Sequence, residues 1–138
     1  MTDEEKQKEL QQKYMEFQML DQQIKQLQKQ LQLIDAQMQE LNNTEAAIDD
    51  LGKVKPGTGF LAPIASGIFV KGKLEENKDL VINVGSNVTV SKTSSEVKNM
   101  LKAQLKELQT IQENTKIQFQ ALVEKAAKLE EELQKLIE

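Results

Sequence analysis

Apolar residues recur in alternating steps of three and four through the first third of the chain. After Leu10 they fall at Phe17, Leu20, Ile24, Leu27, Leu31, Ile34, Met38, Leu41 and Ile48. This spacing is a heptad repeat, which is typical of a helix that pairs with another helix along one apolar seam. Lys13 and Glu45 interrupt the seam, and polar residues at such positions cost stability but can fix the alignment of the two helices.

Start and stop signals set the limits of this first helix. Thr2 and Glu5 have the spacing of a capping box, and Gly52 followed by Pro56 is a stop signal. The pattern therefore predicts a helix from about Asp3 to Leu51, which would be ~73 Å long at the usual rise per residue.

A second heptad repeat occupies the last third of the chain. Thr93 and Glu96 form another capping box, and the apolar positions that follow are Val97, Leu101, Leu105, Leu108, Phe119, Leu122, Ala126, Leu129, Leu133 and Leu136. Gln112 and Thr115 interrupt this seam, so we expect looser packing in the middle. The predicted helix, from about Ser94 to Glu138, nearly equals the first in length at ~67 Å. Equal lengths indicate an antiparallel helical hairpin.

Between the helices the period changes to two. Short apolar runs separated by turn residues predict four strands in two hairpins, at Phe60–Ile64, Ile68–Val70, Leu80–Val84 and Val88–Val90. Pro63 cannot donate a ladder hydrogen bond, so we expect the first strand to be an edge or to bulge there.

The alternation also predicts how this sheet presents its side chains. One face is built from Ile68, Val70, Leu74, Leu80, Ile82, Val84, Val88 and Val90. Phe69 and Val81 point the other way, which leaves a second apolar surface that so short a segment cannot cover. We therefore predict that Phe69 and Val81 belong to an oligomer interface.

Composition excludes several classes of function. The chain has no His, Cys, Trp or Arg, which removes most residues used in catalysis, metal binding and phosphate recognition. We expect no enzymatic activity, cofactor or metal. The net charge is −4, with lysines interleaved among acids, which argues against nucleic-acid binding. With no apolar window long enough for a membrane span and no signal peptide at the start, we expect a cytoplasmic protein that binds no membrane.

The outer ends of the two helices carry more apolar residues than a seam requires. They are Leu10, Tyr14, Met15 and Phe17 in the first helix and Leu129, Leu133, Leu136 and Ile137 in the second. They could simply widen the seam. Taken together, they indicate a surface that binds apolar segments of many other proteins, for which flexible Met side chains are well suited.

Two motifs connect these features to a known family. Gly72-Lys73-Leu74 ends the second strand, and the residues from Val84 to Thr93 read Val-Gly-x-x-Val-x-Val-x-Lys-Thr and lead into the last helix. With the order helix, two hairpins, helix, the chain resembles the alpha-type subunit of prefoldin. The beta type has one hairpin.

The resemblance implies an α+β fold, a long antiparallel coiled-coil hairpin with two central β-hairpins that form an oligomeric β-barrel. It places a coiled-coil helix at residues 1–52, the assembly region at 53–93 and the second coiled-coil helix at 94–138, all in one structural domain. It also implies a hexamer of two alpha and four beta subunits that captures unfolded proteins at the coil tips without ATP and delivers them to a group II chaperonin. The alternative is a structural coiled-coil adaptor that binds one defined partner.

Overall fold

The computed structural model describes residues 2–138, and its elements follow the predicted order. They are α1 (Asp3–Gly52), β1 (Gly59–Ala65), β2 (Ile68–Lys73), β3 (Asp79–Gly85), β4 (Val88–Thr93) and α2 (Ser94–Ile137). The chain divides into two compact units, Met1–Gln37 with Glu107–Glu138, and Met38–Lys106. Each helix therefore contributes to both units, which are described separately below.

The capping box predicted for α1 is complete, and the one predicted for α2 forms the bond from the Glu96 N–H to the Thr93 hydroxyl. The backbone N–H of Glu5 donates to Oγ1 of Thr2 at 3.3 Å, and the N–H of Thr2 donates to Oε2 of Glu5 at 3.4 Å. At α2 the N–H of Glu96 donates to Oγ1 of Thr93 at 3.2 Å, and that hydroxyl donates to the Glu96 carboxylate. These bonds satisfy N–H groups that a helix start otherwise leaves unpaired.

In the first unit, the predicted seam residues of α1 and α2 are the covered ones. Leu20 and Leu129 are 6% and 7% exposed, and the remaining seam positions are buried or half-buried. Thr115, where the sequence predicts looser packing, is among the buried residues at 7% exposure. Its hydroxyl donates to the carbonyl oxygen of Ile111 at 2.7 Å, so Thr115 enters the seam without an unpaired polar group.

The second unit contains the four strands as two separate antiparallel sheets, β1 with β2 and β3 with β4. The alternation pattern treats them as a single sheet, but among the described residues the two hairpins share no strand pairing. Each ladder slips by one residue next to its turn, between Pro63 and Ala65 and between Asn83 and Gly85. In its two-stranded sheet β1 is an edge strand, and its ladder slips beside Pro63, so both alternatives expected for a strand with a proline are met. The β3–β4 ladder slips at the matching place without a proline, so the slip does not depend on the missing N–H alone.

The turn between β3 and β4 follows from residues that accept a left-handed backbone. Ser86 and Asn87 have φ of 51° and 61°, the two central positions of a type I′ turn, which matches the twist of the flanking strands. In the first hairpin the ring of Phe60 lies over Gly72, where a Cβ would come within 2.7 Å of the ring. A glycine at this position therefore leaves room for Phe60 to cover its own strand pair.

Asn77, in the loop between β2 and β3, closes the end of α1. Its side-chain amide donates to the carbonyl oxygens of Leu51 at 3.1 Å, Gly52 at 3.3 Å and Val54 at 2.6 Å. The backbone carbonyl oxygen of Asn77 accepts a hydrogen bond from the hydroxyl of Ser94 at 3.4 Å. One residue thus satisfies carbonyls in and just after the last turn of α1 and holds the first residue of α2.

We predict that Asn77→Ala destabilises the fold by about 1–3 kcal/mol, because partly buried carbonyl groups lose their donor. Thermal unfolding followed by circular dichroism would measure the loss. Asn99→Ala, the same change at an exposed position of α2, is the control and should leave the midpoint unchanged or slightly raised. Equal midpoints for both variants would contradict the capping role.

Candidate functional site

The ends of α1 and α2 in the first unit enclose an apolar cleft of about 760 Å³. We call it the tip cleft. It is lined by Leu10, Gln11, Tyr14, Met15, Glu130, Leu133, Gln134 and Ile137. Leu10, near the start of α1, lines the cleft together with Ile137, the last residue of α2, and this confirms the predicted antiparallel pairing of the two helices within the unit.

Five of the eight residues predicted to bind clients line this cleft. Among them Tyr14, Met15 and Ile137 are 56%, 63% and 74% exposed, so their side chains face solvent without a covering partner. Leu10 and Leu133 are half-buried at the edge of the seam. The cleft thus combines a half-buried apolar floor with exposed apolar walls, one of which is an intrinsically flexible Met side chain, and this suits a ligand that has no fixed shape.

The other three predicted residues lie deeper in the seam or beside the cleft. Phe17 is half-buried, and Leu129 is 7% exposed, so both pack between the helices. Leu136 and Leu10 line a smaller neighbouring cleft of about 280 Å³ with Asp3, Lys6 and Gln7. A client could touch Leu129 only if the helix ends separated.

Sequence reasoning missed the polar rim of the tip cleft, which is Gln11, Glu130 and Gln134. Gln11 precedes Tyr14 by three residues and Glu130 precedes Ile137 by seven, so each shares a helix face with an exposed apolar residue. Each of the three directly follows a seam residue in the sequence, so an analysis of the positions next to the seam would have found them. Their amide and carboxylate groups can accept or donate hydrogen bonds to the backbone of an extended peptide.

Lys13 stands in the seam directly beside the tip cleft. Its side chain is 24% exposed, and its Nζ lies 3.0 Å from Oε2 of Glu132 and 3.3 Å from Oε1 of Glu9. The hydrogen bond that Lys13 donates to the Glu132 carboxylate raises the pKa of Lys13 above its ordinary value, against an opposing effect of burial. The ammonium group therefore stays charged while most of its stem is covered.

Glu45, the second polar residue in the seam of α1, also pairs with the facing helix. It is 25% exposed and lies 3.9 Å from Nζ of Lys102. One turn away, Lys98 makes an ion pair with Asp49, and this partner lowers the pKa of the Asp49 carboxyl. These cross-helix pairs in the second unit agree with the prediction that polar seam residues fix helix alignment.

The hairpins expose the second candidate surface. Phe69 is 53% exposed opposite Pro63, and Val81 is 73% exposed opposite Ser91. Phe60, Ile68 and Val70, on the other face of the first hairpin, are also about half exposed. Since both faces of this hairpin carry uncovered apolar side chains, the second unit has more apolar surface than it can bury alone.

Within residues 2–138, no three His, Cys, Asp or Glu side chains are grouped so that they could hold a metal ion. No helix in this part of the chain has the length and apolar character needed to cross a membrane.

Comparison with known proteins decides the family. The family model described as "Prefoldin subunit" matches residues 20–138. The chain belongs to the prefoldin family. Prefoldin is a family of chaperones, which agrees with the expectation that this chain is not an enzyme.

Two curated relatives, both named prefoldin subunit alpha, bear on the subunit type. One, from Methanococcus aeolicus, is 29% identical over 130 residues, 94% of this chain and 85% of the relative. The other, from Methanothrix thermoacetophila, is 38% identical over 63 residues, 46% of this chain and 41% of the relative, so less than two thirds of that protein is matched. These relatives confirm the resemblance to the alpha type.

A solved structure confirms the fold. A chain from the cryo-EM structure of filamentous PFD from Methanocaldococcus jannaschii superimposes with a TM-score of 0.72. The match has 23% sequence identity and covers 83% of this chain and 95% of that one. Two long helices with two small antiparallel hairpins between them are thus the architecture of a prefoldin chain.

Proposed function

We propose that this prefoldin chain is a subunit of an ATP-independent holdase that captures unfolded proteins in the tip cleft. The observation that carries the proposal is the exposure of Tyr14, Met15 and Ile137 around a cleft of about 760 Å³. Exposed apolar side chains gathered in one place are costly unless they bind something. Unfolded chains present apolar side chains in every order, and a cleft with flexible walls can accept them without sequence preference.

Binding at this site needs only thermal motion of the helix ends. Terminal turns lack backbone partners and open at small cost, so a client can enter without energy from a nucleotide. One apolar side chain contributes roughly 1.5–3 kcal/mol when fully buried, so several tips must hold one client together. Capture by several subunits is therefore part of the proposal.

The family suggests how those subunits come together. We infer a hexamer of two alpha chains with four beta-type subunits, joined through the hairpins in an oligomeric β-barrel, which works in the cytoplasm and passes clients to a group II chaperonin. The exposed Phe69 and Val81 support assembly through the hairpins. The relative in Methanocaldococcus jannaschii is described as filamentous, so self-assembly of this chain is a second arrangement to examine by native mass spectrometry.

A structural adaptor that binds one defined partner remains the alternative function. Gln11, Glu130 and Gln134 on the rim of the tip cleft give it some support, because directional hydrogen bonds can select one peptide. The two functions differ in the number of unrelated proteins that the chain binds. A holdase suppresses aggregation of several unrelated unfolded proteins, whereas an adaptor suppresses none.

A triple substitution tests the proposed site without deleting any residue. Tyr14→Ser, Met15→Ser and Ile137→Ser together should lower aggregation suppression at least about tenfold, since three apolar contacts are lost from each tip. The measurement is light scattering of chemically unfolded proteins of unrelated sequence during refolding, with the assembled complex at equal concentrations.

The matched control is Leu33→Ser with Ile117→Ser. These residues are 66% and 65% exposed in the same compact unit but do not line the tip cleft. Suppression should persist in this double variant. Equal loss in both sets, or none in either, would show that clients do not depend on the tip cleft.

A further inference from the structure

Lys13 occupies a seam position that the heptad pattern reserves for an apolar residue. It follows Leu10 by three residues and precedes Phe17 by four, so all three belong to the same stripe of α1. Between Leu10 and Leu41, Lys13 is the single polar residue at a seam position, and all the remaining seam positions are apolar. A lysine here is therefore a local departure from the pattern, and it falls within one helical turn of the tip cleft.

The contacts of Lys13 bridge the two helices. Its Nζ reaches Oε2 of Glu132 on α2 at 3.0 Å and Oε1 of Glu9 on α1 at 3.3 Å. The Lys13 side chain is 24% exposed, while Glu132 is 52% exposed. Water therefore reaches the pair, and an ion pair open to water holds two helices together less firmly than a buried apolar side chain would.

The consequence concerns the residues that the closed structure hides. Leu129 is buried at 7% exposure and Phe17 is half-buried, so neither offers its full side chain to a client while the helices stay paired. Separation of the helix ends would add both to the apolar surface of the tip cleft.

We propose that Lys13 is a positioning residue of the tip cleft, whose ion pair with Glu132 keeps the helix ends in register when closed yet weak enough to open for a client. This inference rests on the proposed holdase function and specifies how the site is regulated. A client then binds only to tips that are open, so a smaller fraction of open tips gives a weaker apparent affinity for the client.

The test replaces Lys13 with Met in the full chain, assembled with its partner subunits. Met fills the seam with an apolar side chain of similar length, so the closed state gains stability and the open fraction falls. We expect the concentration needed for half-maximal aggregation suppression to rise on the order of tenfold.

Lys25→Met is the matched control. It removes the same charge and one ion pair from the same helix, but Lys25 is 70% exposed, pairs with Asp21 at 3.1 Å and lies outside the seam. Suppression by this variant should equal that of the unmodified chain.

A second measurement reports opening without any client. The chain has no cysteine, so Gln11→Cys and Gln134→Cys allow spin labels at two positions of the tip cleft, with labelled chain diluted into unlabelled chain. Electron–electron distance measurements between the two labels should show a broad distribution that extends to distances longer than the closed structure allows. Lys13→Met should narrow this distribution, and Lys25→Met should leave it unchanged.

The outcomes separate this inference from the proposed function. An unchanged distance distribution in Lys13→Met, or a narrowed one with full suppression, would overturn the role of Lys13. If the Tyr14, Met15 and Ile137 variant still loses suppression in that case, the tip cleft remains the client site and only the opening mechanism is wrong. If that variant keeps full suppression, the proposed site itself fails.

Discussion

Removal of residues 2–11 and 129–138 is expected to abolish aggregation suppression while assembly persists. The deletion takes away Leu10, Leu133 and Ile137 together with the polar rim residues of the tip cleft, and it leaves Tyr14 and Met15 without a facing helix. Because each tip contributes only weak apolar contacts, loss of most of them in every alpha subunit removes the joint hold on a client.

Assembly provides the control for this truncation. The hairpins of the second unit, Met38–Lys106, are untouched, so native mass spectrometry should give the same stoichiometry for truncated and full-length chains. Light scattering during refolding of a chemically unfolded protein then compares the two complexes at equal concentration. Undiminished suppression by a correctly assembled truncated complex would place client binding on the hairpins.

The helices and their partners could be read from the sequence because their signals are local or periodic. The heptad spacing fixes which side of each helix is covered, and the boxes at Thr2 and Thr93 fix where each helix begins. Lys13 and Glu45 were recognisable as polar seam residues for the same reason. Pro63 was recognisable as a residue that belongs at a sheet edge or a bulge because it has no N–H.

What the sequence could not supply depends on contacts between distant residues. Nothing in the loop around Asn77 indicates that its amide reaches Leu51, 26 positions away. The alternation of apolar residues is the same whether two hairpins join or stay apart, so it could not show that they form separate sheets.

The candidate site was predictable as a region but not as a surface. Composition at the helix ends identified eight apolar residues, yet Leu129 is covered while Ile137 is 74% exposed. That difference depends on how the surfaces of α1 and α2 meet, because a rotation of one helix by a single position exchanges covered and open residues. The partner of Lys13, Glu132, follows from the same alignment.

Charges introduced on the hairpins are expected to dissociate the assembly. Phe69→Asp combined with Val81→Asp should shift the native mass spectrum from oligomer to free chain, because burying an unpaired carboxylate in an apolar interface costs several kcal/mol. The folded chain itself should tolerate both changes, since Phe69 is 53% and Val81 is 73% exposed. Helical circular dichroism would verify that it does.

Leu33→Asp with Ile117→Asp adds the same charge at positions that are exposed to a similar degree on the helices. The oligomer should survive that double variant, which separates an interface effect from a general effect of added negative charge on a chain that already carries −4. Because captured clients must be held by several tips, the dissociated chain should also lose aggregation suppression although its own tip cleft is intact. An unchanged oligomer mass for the Phe69 and Val81 variant would mean that the exposed apolar residues of the hairpins serve another contact and that the subunits join elsewhere.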